Sequence, residues 1–296
     1  MKTVQQSYIP GSKWVYLKIY TGAKTADSLL IGDISPIIKN LQKNKWIEKW
    51  FFIRYSDPDF HLRIRILVSN EIYFGSVIHS FCNRLVHLEK EGLVWKIQLD
   101  TYVRELERYG KNMIEEAESL FYADSECTID LLKKLNEKDE NYRWMIVLYS
   151  IDQLLSNFSR DLTSKQQLME SWSLAFRTEF GFDMYNSKQF NVKFREHKPS
   201  IEKAMKNGSD SDDFEKLRKP VLNRSKKIKP LIDQIQSKLA NEKTVDIALE
   251  SLLSSYIHML INRMFRSKSR QHEMVLYDFL NRYYKSEIAK EKYGHS

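Results

Sequence analysis

Residues 50–65 read WFFIRYSDPDFHLRIR, and this stretch decides the fold. Two runs rich in β-branched and aromatic residues flank Ser56-Asp57-Pro58-Asp59, a turn signal of the Asp-Pro kind, so Trp50–Tyr55 and His61–Val68 read as a hairpin. Upstream, Trp14–Tyr20 (WVYLKIY) alternates with the period of a half-buried strand. Between that strand and the hairpin, residues 26–43 place Leu29, Leu30, Ile34, Ile37, Ile38 and Leu41 at helical spacing, interrupted around Ser35-Pro36. Downstream, residues 73–90 are helical and amphipathic, and Val94–Leu99 returns to alternation. The order β-α-β-β-α-β is the split βαβ arrangement, a four-stranded antiparallel sheet with helices on one face.

The two sheet faces differ in chemistry. One parity is apolar: Val15, Leu17, Ile19; Phe51, Ile53; Leu62, Ile64, Ile66; Trp95, Ile97, Leu99. These residues are expected to face the helices. The other parity carries Lys18, Arg54, His61, Arg63, Arg65, Lys96, Gln98 and Asp100 among Trp14, Tyr16 and Phe52, a cationic face with aromatic flanks.

From Asp100 onward the pattern is helical. Asp100-Thr101 reads as an N-cap, with Val103, Leu106, Met113, Ile114, Ala117, Leu120 and Phe121 as the apolar stripe that follows. Asp124-Ser125 reads as a break, after which helical patterns cover 126–136, 141–160 and 163–180. Residues 187–240 hold 14 Lys or Arg against 7 Asp or Glu, and two helices near 242–266 and 271–285 close the chain. The expected class is α+β: a split-βαβ (ferredoxin-like) antiparallel sheet over 1–100 packed with a larger, mostly helical part over 101–296, together one integrated catalytic domain.

Composition narrows the function. With 296 residues, 42% of them hydrophobic, and only 9 Gly and 6 Pro, the chain can bury a core and build long regular elements. No run approaches a membrane-spanning length and residues 1–11 are polar, so a cytoplasmic protein without membrane insertion is expected. Cys82 and Cys127 read as buried thiols; two cysteines support neither a disulfide framework nor a thiolate metal site. There is no GxxxxGK[ST], GxGxxG or GxSxG motif, and the histidines lack ligand spacing, so no cofactor and no metal are expected. The net charge of +8 lies almost wholly in 187–240, since the remainder holds 33 basic and 32 acidic residues.

Several side chains could carry chemistry. Arg63 and Arg65 share one face of a strand about 7 Å apart, and two adjacent like charges call for an anion; a solvated sheet face is the ordinary alternative. Arg104 and Arg108, four apart, could point from a helix back over the sheet, or pair with Glu105 and Glu107. His258 sits in the apolar helical stretch SSYIHMLINRMF with Asn262 one turn on; the ordinary reading of a lone histidine there is a satisfied core residue.

Read as an ordered set, the blocks WVYLKIY (14–20), WFFIRYSDPDFHLRIR (50–65), LDTYVRELERYG (99–110), AESLFYADS (117–125) and IHMLINRMF (257–265) resemble the C-terminal, glutamate-elimination domain of class I lantibiotic dehydratases, a family that includes free-standing thiopeptide-type bacteriocin biosynthesis proteins. The resemblance runs from about residue 12 to about residue 285; the basic stretch matches no motif of the family. It implies a lyase acting on a ribosomally made precursor peptide, whose Ser or Thr is first esterified with glutamate from glutamyl-tRNA by a separate glutamylating partner. This domain then expels the glutamate to leave dehydroalanine or dehydrobutyrine. By motif, the family's catalytic arginines fall on Arg63 or Arg65 and on Arg104, and its catalytic histidine on His258; Arg108 and Asn262 are expected to support substrate binding. The arginines would grip carboxylates and the histidine would move a proton. Direct contact with tRNA is not expected of this chain. A relative within the family, the [4+2] pyridine synthase of thiopeptide biosynthesis, would not need glutamate-binding arginines. Outside it, the sheet superficially suggests an RNA-binding platform, but FHLRIRIL lacks the glycines and central aromatics of the RNP1 signature. A non-catalytic peptide-binding subunit is a further alternative.

Overall fold

The computed structural model describes residues 4–135, 140–181, 184–206, 212–241 and 248–293. The chain divides into two compact units, Met1–Lys133 with Lys227–Ser267, and Lys134–Lys226 with Lys268–Ser296. The boundaries at 133/134 and 226/227 fall inside helices, and the one at 267/268 lies between two helices.

In the first unit, β1 (Ser7–Tyr8) and β2 (Trp14–Thr21) precede α1 (Thr25–Leu29), a π turn at Leu30–Ile34 and α2 (Ser35–Lys43). Then come β3 (Ile47–Ser56), β4 (Phe60–Val68), α3 (Phe74–Lys90), β5 (Val94–Leu99), β6 (Tyr102–Val103) and α4 (Leu106–Tyr109). The main sheet has the order β3-β4-β2-β5 with every pairing antiparallel. This is the expected split βαβ topology, and the α+β class is as expected. Helices α1 to α3 cover one face, where Val15, Leu17, Ile19, Leu62, Ile64 and Ile66 meet Leu30, Ile34, Ile38, Val77, Phe81 and Leu85.

The parity of β3 is opposite to the expected one. Phe51 pairs with Arg65 and Phe52 with Ile64, so Trp50, Phe52 and Arg54 lie on the helix side while Phe51, Ile53 and Tyr55 join the cationic side. The cause is visible in WFFI: a strand covered on both faces is apolar in both parities, and alternation loses its meaning. Arg54 therefore enters the core side, where its guanidinium pairs with the buried Asp27 of α1 at 2.6 Å. On β5, Ile97 and Leu99 keep the expected parity but remain 37% and 39% exposed, because β5 is an edge strand.

The second face is covered rather than solvated. A ribbon of β1 and β6, with Ser7 opposite Val103 and Tyr8 opposite Tyr102, lies with α4, α5 (Ile114–Leu135) and α10 (Leu249–Met264) on that side. Trp14 and Phe51 meet at 5.7 Å between ring centroids, Trp14 and Tyr102 at 5.1 Å, and Phe51 and Phe121 at 5.4 Å. The long helix expected after Asp100 does not start there. Asp100 accepts a hydrogen bond from the Thr101 amide, but the chain then enters β6, makes one helical turn in α4 and reaches Gly110 at φ 79°, a left-handed conformation suited to glycine. Nor does Asp124-Ser125 break α5. Both residues are buried, Ser125 against the β3 backbone and Asp124 3.5 Å from Arg263, so their polarity, which favours caps and turns in other settings, here serves tertiary contacts.

The Ser125 contact helps close the open edge of β3, whose unpaired backbone groups would otherwise be buried unsatisfied. The Phe52 amide donates to Ser125 Oγ at 3.2 Å, and its carbonyl accepts from Arg263 Nε at 3.0 Å. The Arg54 amide donates to Asn262 Oδ1 at 2.9 Å, and its carbonyl accepts from Asn262 Nδ2 at 2.8 Å. Arg263 is fully buried; burial pulls its guanidinium down to about 10, against the nearby Asp124 carboxylate.

The second unit is helical, with α6 (Glu140–Asn157), α7 (Leu162–Glu179), α8 (Met184–Met205), the first half of α9 (Asp212–Asn241) and α11 (Ser269–Tyr293). Asp161 caps α7 by accepting from the Ser164 amide at 2.7 Å. The basic stretch occupies α8 and α9, and its cations are of two kinds. Arg218 is buried and donates to the carbonyls of Lys203, Ala204 and Lys206 at the end of α8. Lys188, Lys203, Lys206, Lys219 and Lys226 are exposed. Of the two cysteines, Cys127 is buried as expected; Cys82 is on the outer face of α3 and exposed. Among the described residues no helix is long and apolar enough to cross a membrane.

Candidate active site

Every residue singled out as a site candidate lies in the first unit. Arg65 is the centre. It is 8% exposed, and its guanidinium carbon sits 4.8 Å from the Tyr16 ring centroid, 4.9 Å from that of Tyr102 and 5.4 Å from that of Phe51. Its Nε is buried with no hydrogen-bond partner, and no ion pair reaches the guanidinium among the described residues. Burial pushes the Tyr16 and Tyr102 phenols up, and Tyr109 up to about 12, so none of them supplies a negative charge at neutral pH. A guanidinium packed among ring faces, with a buried Nε that has no acceptor, is a group that an incoming carboxylate would satisfy. Arg65 lines a small pocket whose remaining walls are mostly apolar and include Phe51, Tyr102, Phe121 and Met259; Glu105 is its other charged wall.

Arg63 is half-buried on the same face. Its guanidinium stacks on Tyr55 at 3.4 Å, and its Nε donates to His61 Nε2 at 3.1 Å. Arg104 follows β6 rather than lying on a helix, which separates it from Arg108. It is held bidentately by Glu118, at 2.7 Å from Nε and 2.7 Å from Nη2, while Nη1 donates to the Gln5 carbonyl at 3.2 Å. Burial disfavours its charge, but Glu118 outweighs that and raises its basicity further. Tyr102 donates to the same carboxylate at 2.9 Å, so one tyrosine faces Arg65 and also holds the carboxylate that pairs with Arg104.

The third group sits on one face of α10, where Ser255, His258 and Asn262 recur at helical spacing. Ser255 Oγ accepts from Arg108 Nε at 3.0 Å, and Asn262 holds the Arg54 backbone. His258, half-buried, thus lies on the helix face between the α4 contact and the β3 edge, one residue from Met259 in the pocket wall. Arg108 also pairs with Glu105 at 3.3 Å, a contact on the surface. The structure brings Arg63 and Arg65 together on the sheet and ties Arg108 to the histidine's helix; it engages Arg104 with Glu118 and Asn262 with a strand edge. Glu118, Tyr102 and His61 were not singled out in the sequence. Glu118 carries the one legible signal, a carboxylate beside Ala117 and Phe121 in a stripe otherwise turned to the core.

Residues 14–284 match the profile of the lantibiotic biosynthesis dehydratase C-terminal family. The chain belongs to that family. Subtilin biosynthesis protein SpaB of Bacillus subtilis is 31% identical over 181 residues, 59% of this chain and 17% of SpaB. The tRNA-dependent lantibiotic dehydratase MibB from Microbispora sp. 107891 shares the fold with a TM-score of 0.77 at 20% identity, over 96% of this chain and 29% of MibB. The pyridine synthase TbtD from thiomuracin biosynthesis shares it with a TM-score of 0.63 at 10% identity, over 96% of this chain and 100% of TbtD. The chain thus spans under a third of SpaB or MibB, and the fold is common to a dehydratase and a pyridine synthase.

Proposed function

We propose that this member of the family is a lyase that eliminates glutamate from glutamylated Ser or Thr in a precursor peptide, giving dehydroalanine or dehydrobutyrine. The observation that carries this reading is Arg65, whose guanidinium lies among ring faces in the wall of a pocket with its Nε buried and no ion-pair partner among the described residues. In the elimination a base takes the Cα proton, the Cα–Cβ double bond forms, and the Cβ–O bond breaks so that glutamate departs as a carboxylate. Arg65 and Arg63 are suited to hold the carboxylates of the leaving group, and charge that develops there is best stabilised by donors already in place. His258 would carry the proton. Arg104 keeps the wall of the pocket in place through Glu118 and Tyr102, and Arg108 and Asn262 hold α10 against α4 and β3.

The ester is supplied by a glutamylating activity, so residues 1–296 alone should leave an unmodified peptide unchanged. Cycloaddition is the competing reading because TbtD shares the fold, but joining two dehydroalanines offers nothing to an arginine waiting for a carboxylate. The test is to incubate the protein with a glutamylated peptide and follow its mass. Loss of glutamate with gain of a dehydro residue is expected. No mass loss at any dose, together with cyclisation of a multiply dehydrated peptide, would replace elimination by cycloaddition.

A further inference from the structure

We propose that neutral His61 is a positioning residue that sets Arg63 for the leaving-group carboxylate, and that its protonation releases Arg63; this rests on the elimination reading above. His61 is fully buried, and its ring packs 4.7 Å from the Tyr20 ring and 5.6 Å from the Tyr55 ring. Both ring nitrogens are engaged. An arginine Nε can only donate, so the bond from Arg63 Nε at 3.1 Å requires a bare lone pair on His61 Nε2. The proton must then sit on Nδ1, which donates to the Asp59 carbonyl at 2.8 Å. One tautomer of the neutral ring satisfies both contacts, and the imidazolium satisfies only one.

The consequence falls on Arg63. His61 fixes its Nε, Tyr55 fixes the plane of the guanidinium at 3.4 Å, and its two terminal amino groups make no hydrogen bond among the described residues. That is the geometry of a fork presented end-on to a carboxylate. Adding a proton to Nε2 would set an N–H against the Arg63 N–H. The other charged groups around the ring are Lys18 on β2, Asp57 and Asp59 in the β3–β4 turn, and Lys96, which lies over Tyr20. Burial, with the charges of Arg63 and Lys18, outweighs the Asp59 carbonyl and Asp57 and keeps the ring neutral at physiological pH. The role is thus a proton-sensitive clamp on a substrate-binding arginine, and not contact with substrate.

The test uses the full chain with His61→Phe, which keeps a flat ring and removes the acceptor, and His61→Gln, whose amide oxygen can replace Nε2 without titrating. Elimination is expected to fall about tenfold or more in His61→Phe and to recover in His61→Gln. Lowering the pH should reduce wild-type activity more steeply than that of His61→Gln, and His61→Phe should add nothing to Arg63→Ala. Additive losses in that double variant, or identical pH profiles for wild type and His61→Gln, would overturn the clamp. Nitrogen-15 spectra of the histidines separate this from failure of the elimination reading: an Nδ1–H tautomer at His61 is expected even if no peptide is turned over, and an Nε2–H tautomer would contradict the clamp whatever the activity.

Discussion

Two arginines of the first unit, Arg65 and Arg104, share one tyrosine and are almost equally buried, yet their surroundings are opposite. Arg104 has a bidentate carboxylate and a backbone carbonyl, whereas Arg65 has three aromatic faces and no ion-pair partner among the described residues. A guanidinium that already holds its carboxylate contributes to the fold. One packed among ring faces without a carboxylate is, on the proposed reading, an unfilled binding group. On that reading, the difference separates a structural from a chemical arginine in a motif set that treats them alike.

The comparison can be broken most strongly at Arg104. Replacing it with Met leaves Glu118 buried and unpaired, and should destabilise the protein by about 3–5 kcal/mol in urea unfolding. A loss of less than about 1 kcal/mol would remove the distinction. Arg65→Met should do the reverse, with unchanged or higher stability and elimination reduced by about 10²–10³-fold, of the order seen when a group stabilising developing negative charge is deleted. Asn262→Ala should cost about 1–3 kcal/mol, because it strips both backbone partners from Arg54 at the edge of β3, and its activity loss should track the fraction unfolded.

The smallest effect concerns pH. His61 titrates at 6.5 in the unfolded chain and lower in the folded one, so between those values the unfolded state binds more protons. Its contribution is complete above the unfolded value and is lost as pH falls through the folded value. The stability advantage of wild type over His61→Gln should therefore shrink as the pH is lowered below 6.5, read as urea midpoints. Burial depresses His272 in the same direction, but it is common to both proteins and cancels.

The strand order, the hairpin and most helices were legible because hydrophobic period and the Asp-Pro turn are local signals. Most of what failed in the sheet region has one cause. The sheet is buried on both sides, so the parity of Phe51 and Phe52 could not be read from alternation, and Arg54 was assigned to the wrong face. The same burial turned Asp124 and Ser125 from an apparent break into anchors of β3, and drew residues 102–103 out of an expected helix into a ribbon with β1. Of the candidate site, the arginines and His258 were legible as members of motifs. The different surroundings of Arg65 and Arg104 were not, because they depend on Glu118, a counter-ion that no local pattern connects to Arg104.

The most direct measurement of the central claim is the mass of a glutamylated precursor peptide after incubation with Arg65→Met, in parallel with wild type and with the melting temperature of each protein. The expected result is a folded Arg65→Met protein that leaves the glutamate ester in place while wild type removes it. A folded Arg65→Met protein that removes glutamate at the wild-type rate would contradict the assignment of Arg65 to the leaving group.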